Sequence, residues 1–124
     1  MTRFEQQPPG GAAPVIQGYA AGGFRVSGQQ YAGGVLVTPT RILDWPFADP
    51  AALTADAFAA LGGEVIEVIL LGTGAMLRRP AAEAMAAWRE QGLTIELMDS
   101  KAAARTYGVL ANEGRLVAAA LLPL

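Results

Sequence analysis

Two short runs carry the residue types with which this chain could do chemistry. Gly72-Thr73-Gly74 follows directly on the apolar run Val65–Leu71, and Asp99-Ser100 follows directly on Leu93–Met98. Each stands at the carboxyl end of a run that reads as a strand, the end at which open α/β sheets bind ligands. Glycines there let backbone N–H groups approach an anion, and Thr73 adds a hydroxyl. The run has neither the third glycine of a dinucleotide fingerprint nor the Lys-Ser/Thr pair of a phosphate loop. A turn that needs glycine for backbone reasons satisfies the same pattern. Asp99 and Ser100 border the same cleft if the two strands are parallel neighbours, and they are also preferred helix caps. Glu96 shares a strand face with Thr94 and Met98; under a covering helix it would be a buried carboxylate needing Arg105 or Arg115 as a partner. Arg105-Thr106-Tyr107 offers a guanidinium and two hydroxyls to a ligand, or alternatively a solvated cation, a helix-bonded threonine and a core tyrosine. Carboxylate, hydroxyl and backbone donors are enough for proton transfer or anion binding. The candidate cleft is therefore Gly72, Thr73, Gly74, Glu96, Asp99, Ser100, Arg105, Thr106 and Tyr107, with no residue singled out as catalytic and no metal-ligating set.

Composition removes several alternatives. The 124 residues include no cysteine and no histidine. Disulfides, Cys/His zinc sites, thiolate nucleophiles and histidine-based triads are thereby excluded, and no cofactor is expected. Nine Lys+Arg against eleven Asp+Glu give a net charge of −2, which supplies no basic face for displacing counterions from a nucleic acid. The longest apolar runs are strand-sized, so no transmembrane segment is expected, and the first residues lack the apolar stretch of a signal peptide. A cytoplasmic protein follows. Homo-oligomerisation is left open.

The elements that must position the candidate residues can be read from periodicity. Residues 1–14, rich in Gln, Pro and Gly, read as a flexible leader ahead of a single α/β domain over 15–124. Val15-Ile16, Phe24–Val26, Tyr31 and Val35–Val37 are β-type runs separated by Gly22-Gly23, Ser27-Gly28 and Gly33-Gly34, which predicts short hairpin strands, and Arg41–Trp45 fits another. Asp49-Pro50 predicts a helix start, with Leu53, Ala57, Phe58 and Leu61 on one face and Gly62-Gly63 as the stop. Val65–Leu71 reads as a central strand buried on both faces. Pro80 opens a helix whose inner face is Ala81, Ala84, Met85 and Trp88, and Gly92 closes it. Leu93–Met98 alternates as a strand. Asp99 or Ser100 caps a third helix with Ala103, Tyr107 and Leu110 inward and Gly108 in its interior, and Arg115–Leu122 is the last strand. The core is expected to lean on Phe24, Ile42, Trp45, Phe58, Leu61, Val65–Leu71, Met85, Trp88 and Leu116–Leu122. Strand–helix–strand spacing implies parallel crossovers, and the early hairpins add antiparallel pairs. The fold class is a three-layer α/β arrangement: a mixed central sheet, a β-α-β-α-β unit in the C-terminal half and N-terminal hairpin strands.

The C-terminal half also resembles a known family. Leu71–Gly74, Glu96–Ser100, Ala103, Arg105-Thr106-Tyr107, Leu110, Glu113–Arg115, Val117 and Ala119–Leu121 carry the resemblance, which extends weakly to Tyr19, Gly23-Phe24 and Val35–Val37. The family consists of uncharacterised small α/β proteins and includes the mitochondrial respiratory complex I assembly factor 3 proteins and an adipogenesis-associated protein. The resemblance implies a three-layer fold with a mixed sheet, no established enzyme activity, and, for the mitochondrial members, work through protein contacts in building a membrane enzyme. This chain has Gly108 where the family usually has Asn after the tyrosine, and Ser100 where it often has Thr. The functional expectation is a non-catalytic interaction or assembly-type protein with an unidentified protein partner, which the resemblance relates to respiratory complex I assembly. The alternative is a small-molecule enzyme or anion-binding protein using the cleft.

Overall fold

The computed structural model describes residues 5–6, 13–20 and 22–124. Among these residues, nine strands and two α-helices run in the order β1 (Glu5–Gln6), β2 (Ile16–Ala20), β3 (Gly23–Val26), β4 (Gln29–Ala32), β5 (Val35–Val37), β6 (Ile42–Asp44), β7 (Val68–Gly72), α1 (Ala82–Glu90), β8 (Ile95–Met98), α2 (Ser100–Asn112) and β9 (Val117–Leu121). Strands β2-β3-β4 form an antiparallel meander, and the remaining six form a mixed sheet ordered β1-β6-β5-β9-β7-β8. Strand β7 is parallel to both β8 and β9, and β9 is antiparallel to β5. The last strand is thus inserted in the middle of the sheet, where it joins the parallel C-terminal unit to the antiparallel N-terminal one. Of the leader, residues 1–4 and 7–12 lie outside the described residues, while Glu5–Gln6 pair with β6.

The mixed sheet divides two apolar layers. On one face Val68, Leu70, Val117, Ala119 and Leu121 meet Ala103, Ala104 and Tyr107 of α2 and Phe24, Val26 and Tyr31 of the meander. On the other, Ile69, Leu71, Ala118 and Ala120 meet Ala84 and Trp88 of α1 with Trp45, Leu53, Phe58 and Leu61. Every residue of β7 and β9 is buried, as a run apolar on both faces requires. Three small alanines in β9 let the covering layers approach the sheet closely. The expectation of a three-layer mixed fold with a β-α-β-α-β unit holds.

Three expected features differ. Residues 50–61 make two single turns of 3-10 helix, Pro50–Ala52 and Ala59–Leu61, instead of one α-helix. Asp49 does cap the first, its carboxylate accepting from Ala51 N at 2.8 Å. Carbonyls of this segment are also taken up by side chains from other elements. Thr54 O and Ala57 O accept from the indoles of Trp88 (3.0 Å) and Trp45 (2.8 Å), and Ala60 O and Leu61 O accept from Arg41. Both indoles are buried, so an unanswered N–H would cost about 1–3 kcal/mol each. Those tertiary bonds take precedence over helix propensity, while Leu53, Ala57, Phe58 and Leu61 are still buried as the pattern predicts. The second difference is at the sheet's entry, where Val65 and Leu116 are exposed. The strands begin later than the apolar runs because Glu67 reaches across to Arg115 Nε (2.9 Å) and Leu116 N (3.1 Å). The third concerns Glu96. It is exposed, because β8 is the sheet's edge and α2 packs chiefly over β7 and β9. It therefore needs neither Arg105 nor Arg115 as a buried counter-ion.

Candidate functional site

Strands β7 and β8 are parallel neighbours, with Gly72 opposite Met98. The glycine turn and the aspartate-serine cap consequently meet at one rim. Ser100, at the first turn of α2, is completely buried there. Its Oγ donates to Leu122 O at 2.7 Å and accepts from Gly74 N at 2.9 Å, while its own N–H donates to Gly74 O at 2.8 Å. Thr73 N bonds Met98 O at 2.9 Å, and Leu122 N bonds Gly72 O at 2.9 Å. One hydroxyl thus ties together the ends of β7 and β9 and the start of α2. The approach is close enough to demand glycine: a Cβ on Gly72 would stand 2.7 Å from Ser100 Cα. Gly74 turns with φ +100°, a conformation that side chains rarely adopt.

Asp99 caps α2 through Oδ1 to Ala102 N at 2.8 Å. The amide donors of Thr73, Gly74, Ser100 and Ala102 are therefore all engaged within the rim. Thr73, also buried, organises the segment that follows. Its Oγ1 donates to Met76 O at 2.7 Å and accepts from Arg78 N at 3.0 Å. Arg78 Nη1 then reaches Asp49 Oδ2 at 3.1 Å. The Asp49 carboxyl is held below its ordinary pKa by the Ala51 N–H first and by the Arg78 guanidinium second. The loop over 75–79 is exposed throughout, with Met76 at 68% and Leu77 at 60% relative exposure. Two large apolar side chains thus stay in water on a loop whose backbone is fixed at both ends.

The other predicted residues lie away from this rim. Tyr107 is two turns along α2, buried, with its hydroxyl donating to Pro14 O at 2.7 Å. Burial raises the pKa of its phenol far above the ordinary range, so it stays a donor at all ordinary pH values. Arg105 is exposed and Thr106 half-buried. Arg105 and Tyr107 line a groove of about 750 Å³ with Gly108, Val109 and the segment Ala13–Ile16. The structure thus brings Gly72, Thr73, Gly74, Asp99 and Ser100 together. It places Arg105, Thr106 and Tyr107 along α2 and Glu96 on the open edge. Sequence reasoning read Asp49 only as a helix cap and did not single out Met76 and Leu77. The available signal was a Met-Leu pair between a glycine turn and a proline, in a stretch that no strand or helix claims.

Residues 16–122 match the family described as "Protein of unknown function (DUF498/DUF598)". The chain belongs to this family. An uncharacterised family relative from Rhodobacter capsulatus is 38% identical over 114 residues, covering 92% of this chain and 87% of the relative. The NADH dehydrogenase [ubiquinone] 1 alpha subcomplex assembly factor 3 of Danio rerio is 34% identical over 119 residues, covering 94% of this chain and 68% of that protein. The human protein of the same name is 30% identical over 113 residues, at 90% and 61%. The chain thus spans roughly three-fifths to two-thirds of the length of these two assembly factors. Among solved structures, a Bordetella parapertussis protein superposes with a TM-score of 0.81 at 33% identity, covering 94% of this chain and all of that one. A Bordetella pertussis protein described as a Mth938-like domain gives 0.75 at 27% identity, with 95% and 90% covered. Among the described residues, no helix is long and apolar enough to cross a membrane.

Proposed function

We propose that this protein acts by protein contact in the assembly of a respiratory NADH dehydrogenase, with the 75–79 loop as its contact surface. The observation that carries this reading is the loop itself: Met76 and Leu77 remain in water although Thr73 and the Asp49–Arg78 pair fix the backbone beneath them. An ordered apolar pair loses little conformational entropy on docking, and Arg78 and Arg79 beside it give the contact a polar rim. The assembly factors among the relatives support the same reading. The rim residues act in it as a structural knot that holds the loop, rather than as a catalytic or anion-binding cleft.

The test is deletion of the gene in its native host, with the amount of assembled NADH dehydrogenase measured on native gels. Deletion is expected to lower that amount several-fold. The wild-type chain should restore it, and Met76→Asp/Leu77→Asp, which folds with an unchanged Tm, should not. Normal assembly in the deletion strain overturns the proposal. A metabolite that raises the Tm of wild type but not of Thr73→Val would favour the cleft instead.

A further inference from the structure

A second, independent surface lies at the opposite side of the sheet from the antiparallel strands. Strand β8 ends the sheet order, and among the described residues nothing pairs with its outer edge. The hydrogen-bond pattern shows which backbone groups face out. Thr94 O accepts from Ile69 N at 2.8 Å and Met98 O accepts from Thr73 N at 2.9 Å, so residues 94 and 98 face β7. In a parallel ladder alternate residues turn both of their backbone groups to the same neighbour. Glu96 therefore faces β7 as well, and Ile95 and Leu97 present their N–H and C=O groups outward, an unpaired row that a further strand can complete.

The side chains flanking that row are patterned. On the α1 face, Leu93 and Ile95 meet Met85, Trp88 and Arg89 around a hollow of about 90 Å³. That is about three times the roughly 30 Å³ share of one water molecule, room for a branched aliphatic side chain. Arg89 at its margin is exposed and takes part in none of the ion pairs of the described residues. On the α2 face the same edge carries the exposed carboxylate of Glu96. A segment laid along β8 would thus meet a hollow lined by Met85, Trp88, Leu93, Ile95 and the Arg89 side chain on one face, and an anion on the other.

We infer that the free edge of β8 takes an extended segment of a partner protein as an added strand. One Val, Ile or Leu of that segment enters the Met85–Trp88–Arg89–Ile95 hollow, an Asp or Glu on the same face meets Arg89, and a Lys or Arg on the other face meets Glu96. Backbone pairing supplies the affinity in this mode, and alternate side chains supply the selectivity. A second copy of this chain is a poorer occupant: pairing β8 with itself about its midpoint brings two Glu96 carboxylates to adjacent positions, which is destabilising.

The experiment selects a displayed library of seven-residue peptides on the full chain and then follows the synthesised consensus peptide by NMR. Enriched peptides are expected to alternate, with an aliphatic and an acidic residue on one face and a basic residue on the other. Amide exchange of Ile95 and Leu97 should slow at least tenfold on binding, while that of Glu96, already bonded to β7, stays constant. Arg89→Glu, a surface change with an unchanged Tm, should switch the selected acidic residue to a basic one. Met76→Asp/Leu77→Asp should bind the peptide as wild type does, so failure of the assembly phenotype and failure of this site remain separable. Absence of enrichment, protection at amides other than Ile95 and Leu97, or a dimer paired through β8 in the absence of peptide would each overturn the inference.

Discussion

Ser100 contributes more to this molecule than a helix cap ordinarily does. Its hydroxyl serves as donor and acceptor at once, and both partners are backbone groups on other elements. Removing it leaves the Gly74 amide and the Leu122 carbonyl inside the protein without their partner. Each unanswered buried group costs about 1–3 kcal/mol, so Ser100→Ala is expected to lower stability by roughly 2–4 kcal/mol, read as a shifted urea midpoint. Ser100→Thr, the residue the resemblance leads one to expect here, keeps the hydroxyl and should restore most of the loss if its methyl is accommodated. An unchanged midpoint for Ser100→Ala would show that the knot carries no weight. The sequence placed Ser100 correctly at the carboxyl end of a strand and at a helix start. It could not show that the hydroxyl is already occupied, because Leu122 lies 22 residues away and no local pattern registers that contact.

Helix α2 repeats the contrast at the scale of an element. Its inward stripe of Ala103, Tyr107 and Leu110 is the one the periodicity predicts, and its exposed side carries Gly108. A Cβ at Gly108 would meet nothing within 4 Å. Neither close packing nor a positive φ requires glycine there, so Gly108→Ala is expected to stabilise the protein by about 0.5–1 kcal/mol through helix propensity and the unfolded chain's entropy. Thermal unfolding measures this directly. A loss of stability would point to a contact that Gly108 makes outside this chain, for instance along the groove it borders with Ala13–Ile16. The 50–61 segment behaves in the opposite way. Its burial pattern was legible, and its secondary structure was not. The indoles of Trp45 and Trp88 and the guanidinium of Arg41 take its carbonyls from outside. Arg41 and Glu64 also form a half-buried pair at 3.1 Å, joining residues whose proximity nothing local announces.

For the molecule as a whole, two further ties between separate segments pass through carboxylates. Asp49 anchors the 75–79 loop to the start of the 3-10 segment, and Glu67 bridges the entries of β7 and β9. The Glu67 carboxyl is held below its ordinary pKa, chiefly by the Leu116 N–H and next by Arg115. Folded-state values lower than unfolded ones mean that these groups bind protons more readily in the unfolded chain. Their contribution is fully present above the ordinary carboxylate range and is lost as pH falls through the lowered folded values. The Tm is therefore expected to hold steady near neutrality and to fall on acidification below about pH 4. Glu67→Gln should flatten part of that fall, since its side chain no longer titrates. A profile identical to wild type would mean that the bridge adds nothing in solution, as exposed pairs sometimes do.

By itself the sequence determined the parts whose signals are local. These are the double-sided apolar runs of β7 and β9, the inward stripe of α2 and the Ala84 and Trp88 positions of α1 (Ala81 is exposed ahead of that helix), the glycine-separated hairpin strands, and the absence of thiol or imidazole chemistry. Period and composition are properties of neighbouring residues, so no knowledge of distant ones is needed to read them. Tertiary structure alone decided that β9 enters the sheet between β5 and β7, and that Thr73, Gly74, Ser100 and Tyr107 spend donors on groups of the fold itself. It also left Met76, Leu77 and the edge of β8 facing water. Each of these outcomes depends on which remote carbonyl answers a buried donor, or on which strand lies next to which. That is settled only when the whole chain has found the arrangement in which its buried polar groups are paired.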